Sequence, residues 1–441
     1  MDLDRLGGDF LAFSVGIDIG TTTLSAAVYD VESGKLVYSC SNAHNAQVCS
    51  DVYFEQDVCV ILEKAHSLLC DILASYGDII GIGITGQMHG IVYVNRDGEP
   101  TSNLITWQDK RGDIPFEDGK SVCQKIEDIT GEKIATGYGI ATHYYNMLTG
   151  RVPENVVGFC SVMDLFAMRI CKVRTVTTHA SVAASFGLFD TQNGSFIKEK
   201  IGLLGIDISL LPKVTSEALE VGKYEKIPVY VSIGDNQASF LGSVGEDEGT
   251  LLVNIGTGSQ VSAISDFRGA LGALEIRPFV NRKYLLSGSA LCGGHAYSML
   301  EGFFRSYMAS AGVQSSSQYE IINSLAQKAL KSKNSGLCVD TSFFGKRNDP
   351  SARGAITGID ATNFTPESLV IGVLNGMANE LYELYCAFGI KKTRIVASGG
   401  AIRKNEVLRA LISEKFGVPV LVSETKEEAA LGAAIFAQGR I

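Results

Sequence analysis

A carboxylate followed by a glycine and three hydroxyl residues stands near the start of the chain. Asp18 lies in a run of alternating apolar residues that predicts a β-strand, and Gly20 breaks this run before Thr21, Thr22 and Thr23. A second strand is predicted directly afterwards, so the segment forms the tip of a hairpin. The glycine lets backbone N–H groups approach a phosphate, the hydroxyls add neutral donors, and Asp18 can hold the accompanying magnesium. The alternative is a polar turn without a ligand.

A second copy of this pattern favours the phosphate-binding interpretation. Residues 252–259 align with residues 16–23 without a gap, and Asn254 falls on Asp18. The turn of this copy consists of Gly256, Thr257 and Gly258. Two copies that lie this far apart in the sequence, at residues 16–23 and 252–259, predict two similar domains rather than a solenoid. Two such turns offered to one cleft suit the phosphate chain of a nucleotide triphosphate.

Helical and strand patterns alternate through both halves of the chain. Apolar residues recur at helical spacing in Val58–Tyr76 and Pro366–Tyr385, whereas Ile79–Ile84 is typical of a buried strand. We therefore predict an α/β protein. The domain boundary is placed shortly before the second turn, so that residues 1–243 form an N-terminal domain and residues 244–441 a C-terminal domain.

Asp235 lies between a predicted strand and a predicted helix. The strand runs from Val229 to Gly234, and small residues such as Ala238 begin the helix. A carboxylate at such a junction commonly caps the helix. It can equally act as a base, because open α/β sheets bind ligands at the carboxyl ends of their strands. Its position shortly before the second turn favours the base.

Two further segments carry side chains suited to a polar ligand. Met88 and His89 follow a buried strand, and Trp107, the only tryptophan, is followed by Asp109 and Arg111. An aromatic face with a carboxylate and a guanidinium suits a polyhydroxylated ligand, since the ring covers C–H faces and the charged groups bind hydroxyls. The alternative for Met88 and His89 is core packing. The alternative for the second segment is a surface ion pair beside a half-buried indole.

A diglycine follows the predicted strand 394–398 in the second half. Ser398 precedes Gly399 and Gly400, and Asn405 lies on the helix that follows. Bulky side chains here would prevent a flat ring from lying against the backbone, so the diglycine predicts the seat of an adenine.

The composition narrows the class of partner. The net charge is −10 with scattered basic residues, which disfavours nucleic acid and anionic membranes as partners. Ten cysteines without a C-x-x-C pair indicate reduced thiols rather than a disulfide framework or a zinc site. No signal peptide or long apolar run is predicted. We expect a cytoplasmic protein with a small-molecule partner.

The ordered motifs resemble the FGGY carbohydrate kinase family over nearly the whole chain. They are GIDIGTTT, GITGQMHG, TWQDKR, SIGDNQA, NIGTGSQ, ASGGAIRKN and EEAALGAA. The resemblance implies an actin-like ATPase fold, with two ribonuclease-H-like domains around a central nucleotide and sugar cleft. ATP and Mg²⁺ are the implied cofactors, and a homodimer is one assembly that the resemblance allows.

The resemblance also implies a role for each matching residue. Asp18 would bind magnesium, and Asp235 would be the catalytic base. The phosphate and nucleotide positions are Gly20, Thr21, Thr22, Thr23, Gly256, Thr257, Gly258, Ser398, Gly399, Gly400 and Asn405. The sugar positions are Met88, His89, Trp107, Asp109, Arg111 and Asn236.

The implied reaction is ATP-dependent phosphorylation of a ketose at a primary hydroxyl. The segment Gln87–Gly90, the run TWQD-x-R and the segment Leu291–Gly294 favour sedoheptulose, converted to its 7-phosphate, over xylulose or another pentulose. The segment Phe344–Arg347 departs from the family pattern and leaves the sugar open. A non-sugar actin-like ATPase and a sugar sensor without transfer are alternatives from other classes.

Overall fold

The computed structural model describes residues 12–266, 274–314, 316–332, 336–347 and 349–439. The described residues group into two compact units. Unit 1 is drawn from Met1–Gly245, Arg277–Lys283 and Glu427–Ile441, and unit 2 from Glu246–Ile276 and Tyr284–Lys426. The boundary predicted between residues 243 and 244 lies close to the first crossing. The structure also groups two later segments with unit 1, because they pack on its core.

Unit 1 begins with strands and helices that follow one another closely. Its strands are β1 (Phe13–Ile19), β2 (Thr23–Asp30), β3 (Lys35–Ala43), β4 (Gln47–Cys49), β5 (Phe54–Gln56), β6 (Ile79–Gly86), β7 (Val92–Val94), β8 (Leu104–Ile105), β9 (Gly158–Cys160), β10 (Thr177–His179), β11 (Phe189–Asp190), β12 (Ser195–Phe196), β13 (Lys213–Thr215), β14 (Glu220–Tyr224), β15 (Ile227–Tyr230) and β16 (Ile233–Gly234). Its helices up to this point are α1 (Val58–Ser75), α2 (Val122–Thr130), α3 (Gly139–Leu148), α4 (Val162–Cys171), α5 (Ala180–Ala184), α6 (Lys198–Leu203) and α7 (Asp235–Val244).

The main sheet of unit 1 has the order β14-β15-β6-β1-β2-β3, with β16 also paired to β6. β1 and β2 form the predicted antiparallel hairpin, and β6 pairs parallel to β1. Val15 and Ile17 of β1 are fully buried, as the alternating pattern predicts. Helix α1 buries one apolar face, and its N-terminus is capped by the Asp57 side chain, which accepts hydrogen bonds from the N–H groups of Cys59 and Val60.

Unit 2 is smaller and contains the remaining strands. They are β17 (Thr250–Ile255), β18 (Ser259–Ser265), β19 (Glu275–Pro278, whose last two residues are grouped with unit 1), β20 (Tyr284–Ala290), β21 (Cys338–Asp340), β22 (Ala355–Thr357), β23 (Arg394–Ser398) and β24 (Val420–Val422). Its helices are α8 (Gly293–Ser310), α9 (Tyr319–Ser332), α10 (Pro366–Cys386), α11 (Gly400–Lys404) and α12 (Glu406–Phe416). Its main sheet has the order β19-β20-β18-β17-β23-β24.

The two sheets share one topology. In unit 1 the hairpin β1-β2 continues into β3 on one side and into parallel β6 on the other. In unit 2 the hairpin β17-β18 continues into β20 on one side and into parallel β23 on the other. The repeat predicted from two turns therefore extends through the strand order of both sheets.

The last helix of the described chain, α13 (Glu428–Phe436), packs on β1, β6 and α7 of unit 1. The backbone of α13 lies so close to the backbone of unit 1 that no side chain fits at the points of contact. A Cβ atom on Gly432 would lie 1.8 Å from the carbonyl oxygen of Ala238, and one on Gly16 would lie 1.9 Å from that of Ala430. The small-residue motif of this segment is thus explained by backbone-to-backbone packing.

Gly432→Ala is expected to destabilise unit 1 by about 2 to 4 kcal/mol, because a rigid backbone atom occupies the space of the new Cβ. Urea unfolding followed by circular dichroism measures the change. Gly202→Ala is the matched control, since Gly202 lies on α6 with open space around its Cβ position. The control should change stability by less than about 1 kcal/mol. Equal effects of both variants would contradict the packing argument.

Candidate functional site

Strand register brings Asp18 and Asp235 to one edge of the unit 1 sheet. Asp18 of β1 lies beside Thr85 of β6, and Thr85 lies beside Ile233 of β16. The Thr85 hydroxyl donates to the Ile233 carbonyl over 2.9 Å, which fixes β16 against β6. Because the three strands run parallel, their carboxyl ends meet at the same edge. The chain after β16 therefore enters this edge with Asp235.

Asp18 has an unusual electrostatic environment. Its pKa is raised from 3.8 to about 7, chiefly by loss of hydration on burial and in addition by the nearby charges of Asp235 and Glu427. Two further carboxylates of unit 1 thus add their negative charge to the surroundings of Asp18. Such a concentration is costly unless a cation or protons compensate it.

Asp235 is the first residue of α7, and the helix N-cap is Gly234, without a side-chain cap. Asp235 therefore does not cap this helix, and the capping alternative is wrong. Its carboxylate accepts from the Asn236 backbone N–H at 2.6 Å and from the Asn236 amide at 2.8 Å. Loss of hydration raises the pKa of Asp235, while the Arg277 charge and the bonds from Asn236 oppose the rise.

The turn of unit 1 that is predicted to bind phosphate, residues 20–23 and called the phosphate turn below, is the tip of the β1-β2 hairpin, as expected. The Gly20 N–H donates to the Thr23 carbonyl over 2.9 Å, and Thr22 is exposed. The indole N–H of Trp107 donates to the Thr21 hydroxyl over 3.0 Å. Trp107 itself is 46% exposed. A residue predicted for the sugar side is therefore in direct contact with the phosphate turn.

Met88 and His89 follow β6 at the same edge. Met88 is buried, and its sulfur would lie 2.7 Å from a Cβ on Gly234, next to Asp235. His89 has a left-handed backbone with φ of 71°, and its ring stacks on Tyr138 with centroids 4.4 Å apart. Its Nδ1 lies 2.8 Å from the Ser185 carbonyl. Met88 is therefore held by packing beside Gly234, whereas His89 is held by stacking on Tyr138 and by hydrogen bonding to Ser185.

Asp109 and Arg111 form a buried ion pair rather than a surface one. Arg111 Nε lies 2.7 Å from Asp109 Oδ1, and Arg111 Nη2 lies 2.7 Å from Glu55 Oε1. Arg111 Nη1 donates to the Asn146 amide oxygen over 2.7 Å, and Asp109 Oδ2 accepts from the Phe54 N–H over 2.9 Å. These bonds fix the loop that presents Trp107.

The unit 2 turn, residues 256–258, is the tip of the β17-β18 hairpin, as predicted. Its carbonyl groups are held by the start of α8, where the Gly294 N–H donates to Gly256 over 2.9 Å and the His295 N–H donates to Thr257 over 3.0 Å. Asn254, which aligns with Asp18, donates to the Ser398 hydroxyl over 2.7 Å. The second turn therefore lacks the acidic character of the first.

A cavity of about 430 Å³ lies in unit 2 beside the diglycine. Its lining includes Gly400, Tyr297 and Asn405. The Asn405 side-chain oxygen caps α12 by accepting from the Leu408 N–H over 2.9 Å, and its buried amide interacts with the Tyr297 hydroxyl on the wall of the same cavity. Gly399 has a φ of 93° and lies against the Ile255 carbonyl. The cavity thus combines apolar walls with a buried amide donor, which suits a flat heterocycle.

Two family domains match this chain in order. Residues 13–242 match the N-terminal domain of the FGGY family of carbohydrate kinases, and residues 259–438 match its C-terminal domain. The chain belongs to the FGGY family of carbohydrate kinases. It is therefore a carbohydrate kinase, and kinases of this family use ATP as the phosphate donor.

Relatives of this FGGY kinase carry several sugar specificities. It is 26% identical to the sedoheptulokinase of Homo sapiens, with 96% of each chain covered. It is also 26% identical to the xylulose kinase of Staphylococcus xylosus, with 97% of this chain and 90% of the relative covered. The crystal structure of gluconate kinase from Lactobacillus acidophilus superposes with a TM-score of 0.80 at 21% identity, covering 97% of this chain and 89% of the other. The actin-like ATPase fold predicted for the chain is thereby confirmed.

The donor set of the FGGY kinase fits a magnesium ion that keeps most of its water. Within the described ranges, no three His, Cys, Asp or Glu side chains form a metal-binding group. Magnesium does not need one, because it binds proteins through one or two carboxylates together with substrate phosphates. Asp18, whose pKa is raised by burial and by the neighbouring charges of Asp235 and Glu427, is the side chain that would hold it.

Three site residues were not predicted from the sequence. Arg277 lies far from Asp235 in sequence but affects its pKa, and Glu427 affects that of Asp18. Glu427 begins the motif EEAALGAA, but only the packing of α13 on unit 1 explains its effect on Asp18. Gln56 donates to the Thr21 carbonyl over 2.7 Å from a three-residue strand that carries no motif. Among the described residues, no helix combines the length and apolar character needed to cross a bilayer.

Proposed function

We propose that this kinase transfers the γ-phosphate of ATP to a primary hydroxyl of a ketose, with Asp235 as the general base. The observation that supports it is the pairing of Asp18 and Asp235 at one sheet edge, beside a phosphate turn. A sugar hydroxyl is hardly ionised at neutral pH, so a carboxylate that accepts its proton promotes attack on phosphorus. The raised pKa of Asp235 makes it a better proton acceptor than an ordinary carboxylate.

The phosphate chain of ATP is assigned to the two turns. The N–H groups and hydroxyls of Gly20–Thr23 and of Gly256–Gly258 would bind phosphate oxygens. The adenine is assigned to the unit 2 cavity, where Asn405 offers an amide donor and Gly400 lines the wall with open space at its Cβ position. Ser398 and Gly399 precede Gly400 at the end of β23 and are assigned to the same nucleotide site. Magnesium, when bound through Asp18 and the phosphates, would neutralise charge on the transferred group.

The sugar is assigned to the edge formed by Met88, His89, Trp107 and Asn236. The exposed indole face offers an apolar platform, and the Asn236 amide lies beside Asp235. Asp109 and Arg111 support this edge from behind through their buried ion pair. In this assignment they act on the sugar chiefly by fixing the loop of Trp107.

Sedoheptulose is the proposed substrate, with sedoheptulose 7-phosphate as the product. Its support is the similarity to the sedoheptulokinases of Homo sapiens and Mus musculus, each of which is covered over 96% of its length. D-xylulose is the second candidate, because xylulose kinases match at the same 26% identity. A coupled ADP-release assay over sedoheptulose, D-xylulose, D-ribulose, L-ribulose, L-xylulose and glycerol, compared by kcat/KM, decides between them. A higher value for a pentulose would reassign the substrate, and ADP release without sugar dependence would contradict the transfer.

Trp107→Ala is expected to raise the sugar KM by about tenfold or more, because the aromatic platform is lost. Trp107→Phe keeps a ring but removes the donor to Thr21, so it should keep the sugar KM within about threefold and lower kcat instead. Steady-state kinetics with both substrates varied measures the split. Equal increases in the sugar and ATP KM values of both variants would indicate a folding role for Trp107.

A further inference from the structure

The carbonyl groups of the unit 1 phosphate turn are held by amide side chains from other segments. Gln87 Nε2 donates to the Gly20 carbonyl over 3.3 Å, and Gln56 Nε2 donates to the Thr21 carbonyl over 2.7 Å. The two glutamines are joined to each other, since Gln87 Nε2 also donates to Gln56 Oε1 over 2.9 Å. The backbone N–H of Gln87 donates to the Ile19 carbonyl over 2.9 Å. Three successive carbonyls, 19 to 21, are therefore fixed.

Fixing a carbonyl also fixes the N–H of the same peptide unit. The peptide group is planar and trans, so the C=O of one residue and the N–H of the next point in opposite directions. When Gln87 binds the Gly20 carbonyl and Gln56 binds the Thr21 carbonyl, the N–H groups of Thr21 and Thr22 are directed away from the glutamines. These N–H groups belong to the turn that would bind phosphate.

Both glutamines are buried, which makes the arrangement rigid. Gln56 is 2% exposed and Gln87 is 5% exposed. Gln87 Oε1 has no hydrogen-bond partner among the described residues, so burying this amide is costly. An apolar side chain of similar size would fill the space without that cost. Packing alone therefore does not explain why amide side chains occupy these two buried positions. Orientation of the turn by hydrogen bonds to its carbonyls does explain it.

We propose that Gln87 and Gln56 are positioning residues for phosphoryl transfer, which orient the phosphate turn through its carbonyls. The inference rests on the proposed function, since it assumes that the turn binds the phosphates of ATP. Gln87 directly precedes Met88 and His89, and it therefore ties the segment assigned to the sugar to the turn assigned to the phosphates. Displacement of either group by about 1 Å is enough to lower transfer strongly.

Gln87→Met and Gln56→Met test the proposal, because methionine matches glutamine in size but lacks the donor. Each variant is expected to lower kcat by about 30- to 100-fold while the sugar KM stays within about threefold. Gln47→Ala is the matched control. Gln47 Nε2 also donates to the Thr21 carbonyl, over 3.3 Å, but Gln47 is exposed, so water can replace it. The control should keep kcat within about twofold.

A double variant distinguishes positioning from independent damage. Because the two glutamines share a hydrogen bond, Gln87→Met combined with Gln56→Met should lower kcat much less than the product of the single effects. A sugar KM raised more than about tenfold with unchanged kcat would overturn the proposal and make Gln87 a direct sugar contact. Unchanged kcat and KM in both single variants would overturn it as well.

A readout without turnover separates this inference from the proposed function. Amide hydrogen exchange of the peptide that contains residues 20–23, measured without substrate, is expected to accelerate about tenfold in Gln87→Met and to stay unchanged in Gln47→Ala. If the wild-type chain phosphorylates none of the sugars, the proposed function fails. The exchange experiment still tests whether Gln87 and Gln56 fix the backbone of the turn. Wild-type exchange in both methionine variants would reject that hold even if the kinase assignment stands.

Discussion

Asp235→Asn is expected to lower kcat by about 1,000-fold while the KM values for ATP and sugar change less than about threefold. The amide is nearly isosteric with the carboxylate and can remain the first residue of α7, so the backbone has no reason to move. What it loses is the ability to accept the proton of the attacking hydroxyl. The measurement is steady-state kinetics at saturating Mg-ATP, together with calorimetric titration of ADP to verify nucleotide binding.

The control for this variant makes the same chemical change elsewhere in unit 1. Asp207 caps a short exposed turn by accepting from the Ser209 N–H over 2.9 Å, and Asp207→Asn should leave kcat within about twofold. Wild-type turnover of Asp235→Asn would remove the base assignment. A parallel loss of ADP binding would indicate that Asp235 supports the fold of the edge rather than proton transfer.

Local patterns predicted those parts of the fold whose contacts are close in sequence. Alternation of apolar residues around Gly20 was sufficient for the β1-β2 hairpin, and helical spacing was sufficient for α1 and α10. Asp18 and Asp235 were predicted because each follows a strand pattern at its carboxyl end. Their meeting at one edge depends on the register of β6, which no local pattern specifies.

Residues that act across long sequence separations were missed or incompletely interpreted. Arg277 is grouped with unit 1 although its sequence neighbours on both sides of Arg277–Lys283 belong to unit 2, so its effect on Asp235 was not predictable. Asp109 and Arg111 were weighed as ligand contacts or a surface ion pair. The structure buries them with Glu55 and Asn146, and burial of an ion pair is decided by packing from several segments.

The two copies of the hairpin differ where their chemistry differs. Asp18 in unit 1 concentrates negative charge with Asp235 and Glu427, whereas Asn254 in unit 2 is neutral and bonded to Ser398. A neutral group at the second position avoids repulsion of a triphosphate, while the acidic first position suits magnesium. Under the proposed function, one fold that is present twice would supply a cation-binding edge in one unit and a nucleotide-binding cavity in the other.

Asp18→Asn is expected to abolish activity and to stabilise the nucleotide-free protein at pH 8. The pKa of Asp18 is raised from 3.8 to about 7 in the folded chain, so folding favours the protonated form. The associated stability is fully present below about pH 4 and is lost as the pH rises through 7, where the folded chain must carry the charge. Removing the charge should therefore raise the free energy of unfolding by about 2 to 4 kcal/mol at pH 8 and by almost nothing at pH 4.

Urea unfolding at both pH values, in EDTA without nucleotide, measures this difference between Asp18→Asn and the wild-type chain. Asp57→Asn is the control, because Asp57 caps α1 of the same unit. This variant should not raise the free energy of unfolding at either pH and should lower it slightly if the cap is weakened. Mg-ATP should stabilise the wild-type chain more than Asp18→Asn, since only the wild-type chain offers the carboxylate to the cation. A variant no more stable than wild type at pH 8 would contradict the concentration of charge around Asp18. A variant that is more stable and retains full kinase activity would place the magnesium elsewhere.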